Sequence, residues 1–253
     1  MTLQGSLLCS STTVYAPQGR SVPLLFDASS GKQKKSVSGM GGTFCLLTDD
    51  DLLVGMPHNQ KSSDNVIQIG DPSGAQAMLK FPGADRLLVD GKMAYLHQGR
   101  FLKSLNRVKY GQLQTDLTLM ASQIKDLKGK LNVLTKDEKT FLKAGQNNKV
   151  SDLRGKIAEI KRAIQANEVR MGAARNALIE CFGWERECEA PYELIAAGDV
   201  LFIGGKGIVI AFNAKTGKRL WSGEVEGHAY GLAYSGGRLL VSTSLGYIYC
   251  FSG

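Results

Sequence analysis

Long apolar runs are missing from this 253-residue chain. No stretch approaches 18 uncharged apolar residues, so no segment has the length and character of a membrane-spanning helix. Met1 to Leu8 lacks a basic start and an apolar run of signal length, so no export leader is read there. Histidine is scarce. His58, His97 and His228 are isolated, each in or beside a turn, and nothing pairs them with a nucleophile, so surface or turn positions are expected for all three. The five cysteines (Cys9, Cys45, Cys181, Cys188 and Cys250) are scattered and odd in number, with no CxxC and no Cys/His cluster, which excludes the usual zinc patterns. Cys45 and Cys250 lie in apolar runs and are expected to be buried thiols, while Cys181 and Cys188 flank one turn and could pair in an oxidising compartment.

What is present is globular. The chain is 43% apolar and 21% charged, with 30 glycines, which suits one large domain or two small ones and excludes disorder, collagen and a disulfide-dense miniprotein. The net charge of +8 is concentrated. Arg107 to Phe182 holds 15 basic and 8 acidic residues, whereas the rest of the chain is nearly balanced at 16 and 15.

An internal repeat dominates. DVLFIGGKGIVIAF (Asp199 to Phe212) and RLLVSTSLGYIYCF (Arg238 to Phe251) align without gaps at an offset of 39 residues. Each is a β-branched run, a Gly-containing turn and an alternating run, the pattern of a hairpin. A short strand precedes each (LIAAG at Leu194, LAYSGG at Leu232), and NAKTGKRLW (Asn213 to Trp221) adds a turn and a fourth strand. One unit is therefore four strands in about 40 residues, the length of a propeller blade. Worn copies lie upstream at Thr13 to Lys32, Thr43 to Phe81 and Arg86 to Asn106. The third stops after three strands, with Leu105-Asn106 where Phe212-Asn213 falls in the clear copy, and its missing Trp-bearing strand is found at Trp184. Everything from Arg107 to Phe182 is thus an insertion in a blade turn, where added length is cheap.

The insertion is helical. Leu113, Leu117, Met120, Ile124, Leu127, Leu131 and Leu134 recur at alternating spacings of 4 and 3, and Leu153, Ile157, Ile160, Ile164, Asn167, Met171, Ala174 and Leu178 form a second such series beyond a polar tip. Two heptad seams leaving one narrow turn predict an antiparallel coiled-coil hairpin, with Asn167 as a polar register-setting residue and Gly129, Gly155 and Gly172 weakening the helices. Its lysines read either as a solvated face or as a partner-binding arm, for which Lys161, Arg162 and Arg170 are the candidate contacts. Its few aromatics (Tyr110, Phe141 and Phe182) argue against nucleic acid.

AFNAKTGKRLW (Ala211 to Trp221) resembles the repeat of PQQ-like β-propellers, which reads roughly A-x-D-x-x-T-G-x-x-x-W. Ala211, Thr216, Gly217 and Trp221 match, and Asn213 stands for Asp. In physical terms Asn213 is suited to accept turn N–H bonds, Gly217 to adopt positive φ, and Trp221 to pack between blades. FDASSGKQ (Phe26 to Gln33) matches more loosely. The resemblance implies a mainly β partial or small propeller of four-stranded antiparallel blades, about four to five in number, bearing the inserted two-helix coiled coil. Blades one to three occupy 1–106, the hairpin 107–182, and the end of blade three, blade four and a partial blade five 183–253.

The family includes quinoprotein dehydrogenases that bind PQQ and calcium above the propeller centre, and a non-catalytic outer-membrane-assembly propeller. No calcium ligand can be placed here, no vicinal cysteine pair exists, and Asp49-Asp50-Asp51 reads as a solvated turn. GMGGT at Gly39 and GGKG at Gly204 lead into strands, not a helix, so neither is a phosphate loop. The expected function is a non-catalytic protein-binding or assembly scaffold without cofactor. A fragment of a PQQ-dependent dehydrogenase and a polyanion-binding arm are the alternatives. Because such propellers usually close with seven or eight blades, a segment of a longer protein, or association through open sheet edges, is expected. The resemblance places relatives in the bacterial periplasm or envelope.

Overall fold

The computed structural model describes residues 7–18, 21–34, 41–50, 52–56, 66–71 and 77–252. The chain forms two compact units, Met1–Val108 with Phe182–Gly253, and Lys109–Cys181.

The first unit is built of antiparallel sheets in blade order. Blade one contains β1 (Leu8–Cys9), β2 (Thr13–Gln18), β3 (Ser21–Asp27) and β4 (Gln33–Lys34). Blade two contains β5 (Gly41–Leu47), β6 (Leu53–Met56), β7 (Val66–Gly70) and β8 (Ala77–Pro82). Blade three contains β9 (Ala84–Asp90), β10 (Met93–Gln98), β11 (Phe101–Asn106) and, beyond the helices, β12 (Phe182–Glu187). Lys103 pairs with Glu185 and Leu105 with Phe182, so the displaced Trp184 strand closes the blade that Leu105-Asn106 left open. Blade four takes β13 (Glu193–Ala197), β14 (Val200–Gly204) and β15 (Lys206–Asn213). β16 (Arg219–Ser235) is one unbroken 17-residue strand. Its first half pairs with β15 and its second with β17 (Arg238–Thr243), which pairs in turn with β18 (Ile248–Ser252). The sequence suggests two strands here, but no proline interrupts Arg219 to Ser235, and blades four and five share the strand.

Apolar alternation puts cores between successive blades at three places among the described residues. Tyr15, Leu25 and Leu53 pack between blades one and two. Tyr95, Leu102, Trp184, Leu201, Ile203, Ile210 and Phe212 pack between blades three and four, and Phe202, Val209, Ala211, Leu239 and Val241 between four and five.

The structure corrects the gapless alignment. Leu201 faces Phe212 across the blade-four hairpin, but Phe251 faces Leu239, not Leu240. The offset is therefore 38 residues in the second strand and 39 in the third, with the extra residue in the loop around Gly246. A one-residue slip exchanges the two faces of a strand. Leu239 and Val241 thus enter the core, and Leu240 does not. Cys250, expected to be buried, is exposed.

The second unit is a helical hairpin, α1 (Arg107–Lys143, which begins within the first unit) and α2 (Asn147–Ile179). Ion pairs join Lys128 of α1 to Glu168 of α2 and, further along α1, Glu138 to Arg154 near the start of α2, the order of antiparallel helices. Every residue of the two seams is buried or half-buried, and Met120, Ile124, Ile157 and Ile164 lie deepest. Both helices run unbroken through Gly129, Gly155 and Gly172.

Candidate functional site

The motif residues converge where one blade meets the next. Asn213 Oδ1 accepts hydrogen bonds from the N–H of Lys215 (3.1 Å), the N–H of Thr216 (2.9 Å) and the Thr216 hydroxyl (2.9 Å). This Asx turn ends at Gly217, whose φ of 67° suits glycine. The indole of Trp184 lies flat on that glycine. A Cβ at Gly217 would sit 2.5 Å from the Trp184 ring, and the indole N–H donates to the Ala214 carbonyl at 2.9 Å. Tyr95 also stacks with the ring, centroids 6.1 Å apart. Trp184 from blade three is therefore held by the turn of blade four. Trp221, beside the buried Ala211, is the repeat counterpart, yet it is 38% exposed and meets only the edge of Phe251, at 4.9 Å between centroids, among the ring pairs of the described residues.

Blade one contains the same turn. Asp27 Oδ1 accepts from the N–H and hydroxyl of both Ser29 and Ser30, and Gly31 again has φ 67°. The serine hydrogen bonds hold the Asp27 carboxyl well below the usual carboxylate range. Among the described residues nothing lies within 4 Å of a Cβ at Gly31.

Two polar groups depart from expectation. His97 is not a turn residue. It lies fully buried on β10, with Nε2 2.8 Å from the Cys188 carbonyl and Nδ1 3.1 Å from Asp85. The carbonyl can only accept, so Nε2 carries a proton. Beside this histidine in the ladder is Arg86, whose buried Nε has no hydrogen-bond partner, and burial raises the Glu193 carboxyl. Asp50 is not merely solvated. It receives both Nη atoms of the buried Arg107 at 3.0 and 2.8 Å, and Arg107 Nε donates to the Gly91 carbonyl at 2.7 Å. That guanidinium, with Thr48, holds Asp50 below the ordinary carboxylate range. Asp51 and His58 lie outside the described residues. His228 joins Tyr192 and Tyr230 in a three-ring cluster with centroids 5.0 to 5.6 Å apart. Cys181 and Cys188 are free thiols.

On the helical unit, Lys161, Arg162 and Arg170 are exposed, and none joins an ion pair among the described residues. A shallow groove of about 720 Å³ runs beside the seam. Val133, Leu134 and Ile160 supply its apolar lining, Lys125, Lys130 and Asp126 its charged groups, and Gly129 adds no side chain. The sequence signal for it was present: a glycine flanked by lysines on one helix.

Among the described residues no three His, Cys, Asp or Glu side chains gather as a metal site would require, and no helix is long and apolar enough to cross a membrane. Residues 205–253 match a PQQ-repeat family model described as outer membrane protein assembly factor BamB. No curated protein matches the chain. Among solved structures, BamB from Moraxella catarrhalis superposes with a TM-score of 0.53 at 10% identity, covering 100% of this chain and 60% of that one. The computationally designed Ika8 protein superposes with a TM-score of 0.52 at 9% identity, covering 97% and 57%. The chain thus spans about 60% of the length of the BamB structure it resembles. At such identities the likeness speaks for the fold, a propeller of antiparallel blades.

Proposed function

We propose that this chain, which carries the PQQ-like β-propeller repeat, is a non-catalytic binding or assembly scaffold whose contact surface is the basic helical hairpin. One observation carries the reading: a groove lined by Val133, Leu134 and Ile160 with two lysines and one aspartate lies on a compact unit that also exposes Lys161, Arg162 and Arg170, none of them in an ion pair among the described residues. Such a surface complements an acidic protein segment with a few apolar anchors. The charges steer the encounter and the apolar lining holds the anchors. The propeller supplies rigid support. No cofactor enters this role.

The test is fluorescence anisotropy with two labelled probes, an acidic Glu/Leu peptide and a DNA duplex. The wild type should bind the peptide. Charge reversal at Lys161, Arg162 and Arg170 together should weaken binding at least tenfold, and Gly129→Leu, which fills the groove, should weaken it without changing charge. Retention of DNA alone, with a steep salt dependence, would replace this reading by the polyanion-binding one. Quinone absorbance and dye reduction after addition of PQQ and calcium would replace it by the dehydrogenase.

A further inference from the structure

The helical hairpin has two unlike flanks. Lys128 and Glu168 each directly follow a seam residue, Leu127 and Asn167, and their ion pair marks one flank. Lys161, one heptad before Glu168, lies on that flank too. Lys130 and Arg170 each directly precede a seam residue, Leu131 and Met171, and belong to the opposite flank. The groove opens there, with Lys130 in its lining. Lys161 and Arg170, which the sequence suggested as one patch, therefore lie on opposite flanks.

Asp126, Gly129, Lys130 and Val133 all line the groove. Their spacing is i, i+3, i+4 and i+7, the four corners of the hole that receives one side-chain knob from a neighbouring helix. The seam of α1 runs through Leu127, Leu131 and Leu134, so this hole is additional to those that face α2. Its glycine corner is open: among the described residues nothing lies within 4 Å of a Cβ at Gly129. Val133 is 58% exposed, and Leu119, two heptads earlier on the same side of the helix, is 57% exposed. The two stand about 21 Å apart along the axis. This flank of α1 thus repeats apolar positions at the seven-residue period a helical partner would match.

We propose that this flank seats an acidic amphipathic α-helix of a partner protein, lying along α1 as the third helix of a coiled coil. The proposal rests on the reading that the groove is a contact surface, and it adds the partner's conformation and the cations that meet it. Charge selects the occupant. Lys125 and Lys130 outnumber Asp126 in the lining, and Arg170 lies on the same flank. Asp137, one heptad beyond Lys130, and Glu159, beside Ile160, lie toward the tip, so the acidic stretch of the partner is set against Lys125, Lys130 and Arg170. A second copy is the poorer occupant, because Arg107 to Phe182 holds 15 basic and 8 acidic residues and two such hairpins repel.

Fluorescence anisotropy on the full chain, at physiological ionic strength, tests it with two labelled Glu/Leu peptides. One has leucines at heptad spacing, and the other differs only in a central proline. The wild type should bind the first about tenfold more tightly or better, and binding should raise the helical circular dichroism of that peptide. Arg170→Glu should weaken binding several-fold, while Lys161→Glu, on the far flank, should change it little. Gly129→Ala should move two readouts in opposite directions. Alanine is the better helix former and its methyl meets nothing, so the hairpin should melt at a higher temperature, yet the filled corner should weaken peptide binding roughly fivefold. Circular dichroism spectra matching the wild type establish that the variants are folded. Equal binding of the two peptides, no gain of helix on binding, Lys161→Glu as damaging as Arg170→Glu, or Gly129→Ala binding like the wild type would each overturn the third-helix proposal while leaving an acidic segment as the partner. Failure of both peptides to bind would overturn it together with the role proposed for the groove.

Discussion

The two Asx turns form a natural pair of experiments. Gly217 and Gly31 share φ 67° and the same hydrogen-bonded frame, but the first carries Trp184 and the second carries nothing. Alanine at either position must hold an L side chain in the left-handed region, which costs about 1–2 kcal/mol. At Gly217 the new methyl also starts 2.5 Å from Trp184 Cδ2 and 2.6 Å from Cε3, on a ring already fixed by Tyr95 and by its bond to Ala214. The ring cannot retreat without losing one of these, and overpacking of this kind costs about 1–3 kcal/mol more. Gly217→Ala should therefore destabilise by about 2–5 kcal/mol and Gly31→Ala by about 1–2 kcal/mol. Equilibrium urea unfolding, followed by circular dichroism and by tryptophan fluorescence at a concentration that keeps the chain monomeric, measures both. Trp184→Leu in the Gly217→Ala background should remove most of the excess cost, because the clash disappears with the ring. If the two alanine variants lose the same stability, Trp184 is not clamped by the blade-four turn, and the account of how blades three and four join fails.

Other outcomes follow from single contacts. Arg107 holds the Asp50 carboxyl below its ordinary value, so the stability this pair contributes is present above about pH 4 and is lost as pH falls further. Asp50→Asn should lower stability near neutrality and flatten the acid limb of a pH-unfolding curve, because the contribution it removes is the one lost on acidification. His97→Ala leaves the Cys188 carbonyl without its donor in a buried site and should cost about 2–4 kcal/mol by urea titration. Cys45, expected to be buried, is half-buried, and desolvation pushes its thiol up to about 11, so at mildly alkaline pH the exposed Cys9 and Cys250 should react with a thiol reagent well before Cys45. Asn167→Leu, in the half-buried seam of α2, should raise the melting temperature of the hairpin by calorimetry, with some loss of register specificity.

Periodicity carried the architecture. The 4-3 spacing from Leu113 to Leu134 and from Leu153 to Leu178 reports which side of a helix is apolar, and that side is the seam. The blade repeat was legible because four strands and their turns fix a chain length, so the displaced Trp184 strand could be matched across the insertion. A count of residues cannot find a loop lengthened by one. The gapless alignment of Asp199 and Arg238 therefore matched Leu240, rather than Leu239, with the core residue Leu201. Long-range polar pairing leaves no periodic trace either. Asp50 and Arg107 are 57 residues apart, as His97 and Cys188 are 91, and only the stacking of blades brings them together. The groove beside Gly129 did leave a mark, a glycine between two lysines, but a glycine in a helix signals lost stability before it signals space.

The rungs on which the inserted arm begins and ends deserve a last thought, since Leu105 and Phe182 are direct neighbours across one ladder. The two ends of the excursion are thus fixed a few ångströms apart whatever lies between them. Closing a gap that narrow is nearly indifferent to the length of what spans it. A lineage could shorten the arm, lengthen it, recharge it or exchange it for another module while the blade beneath kept its hydrogen bonds. Specificity could in this way drift quickly on a foundation that hardly moves.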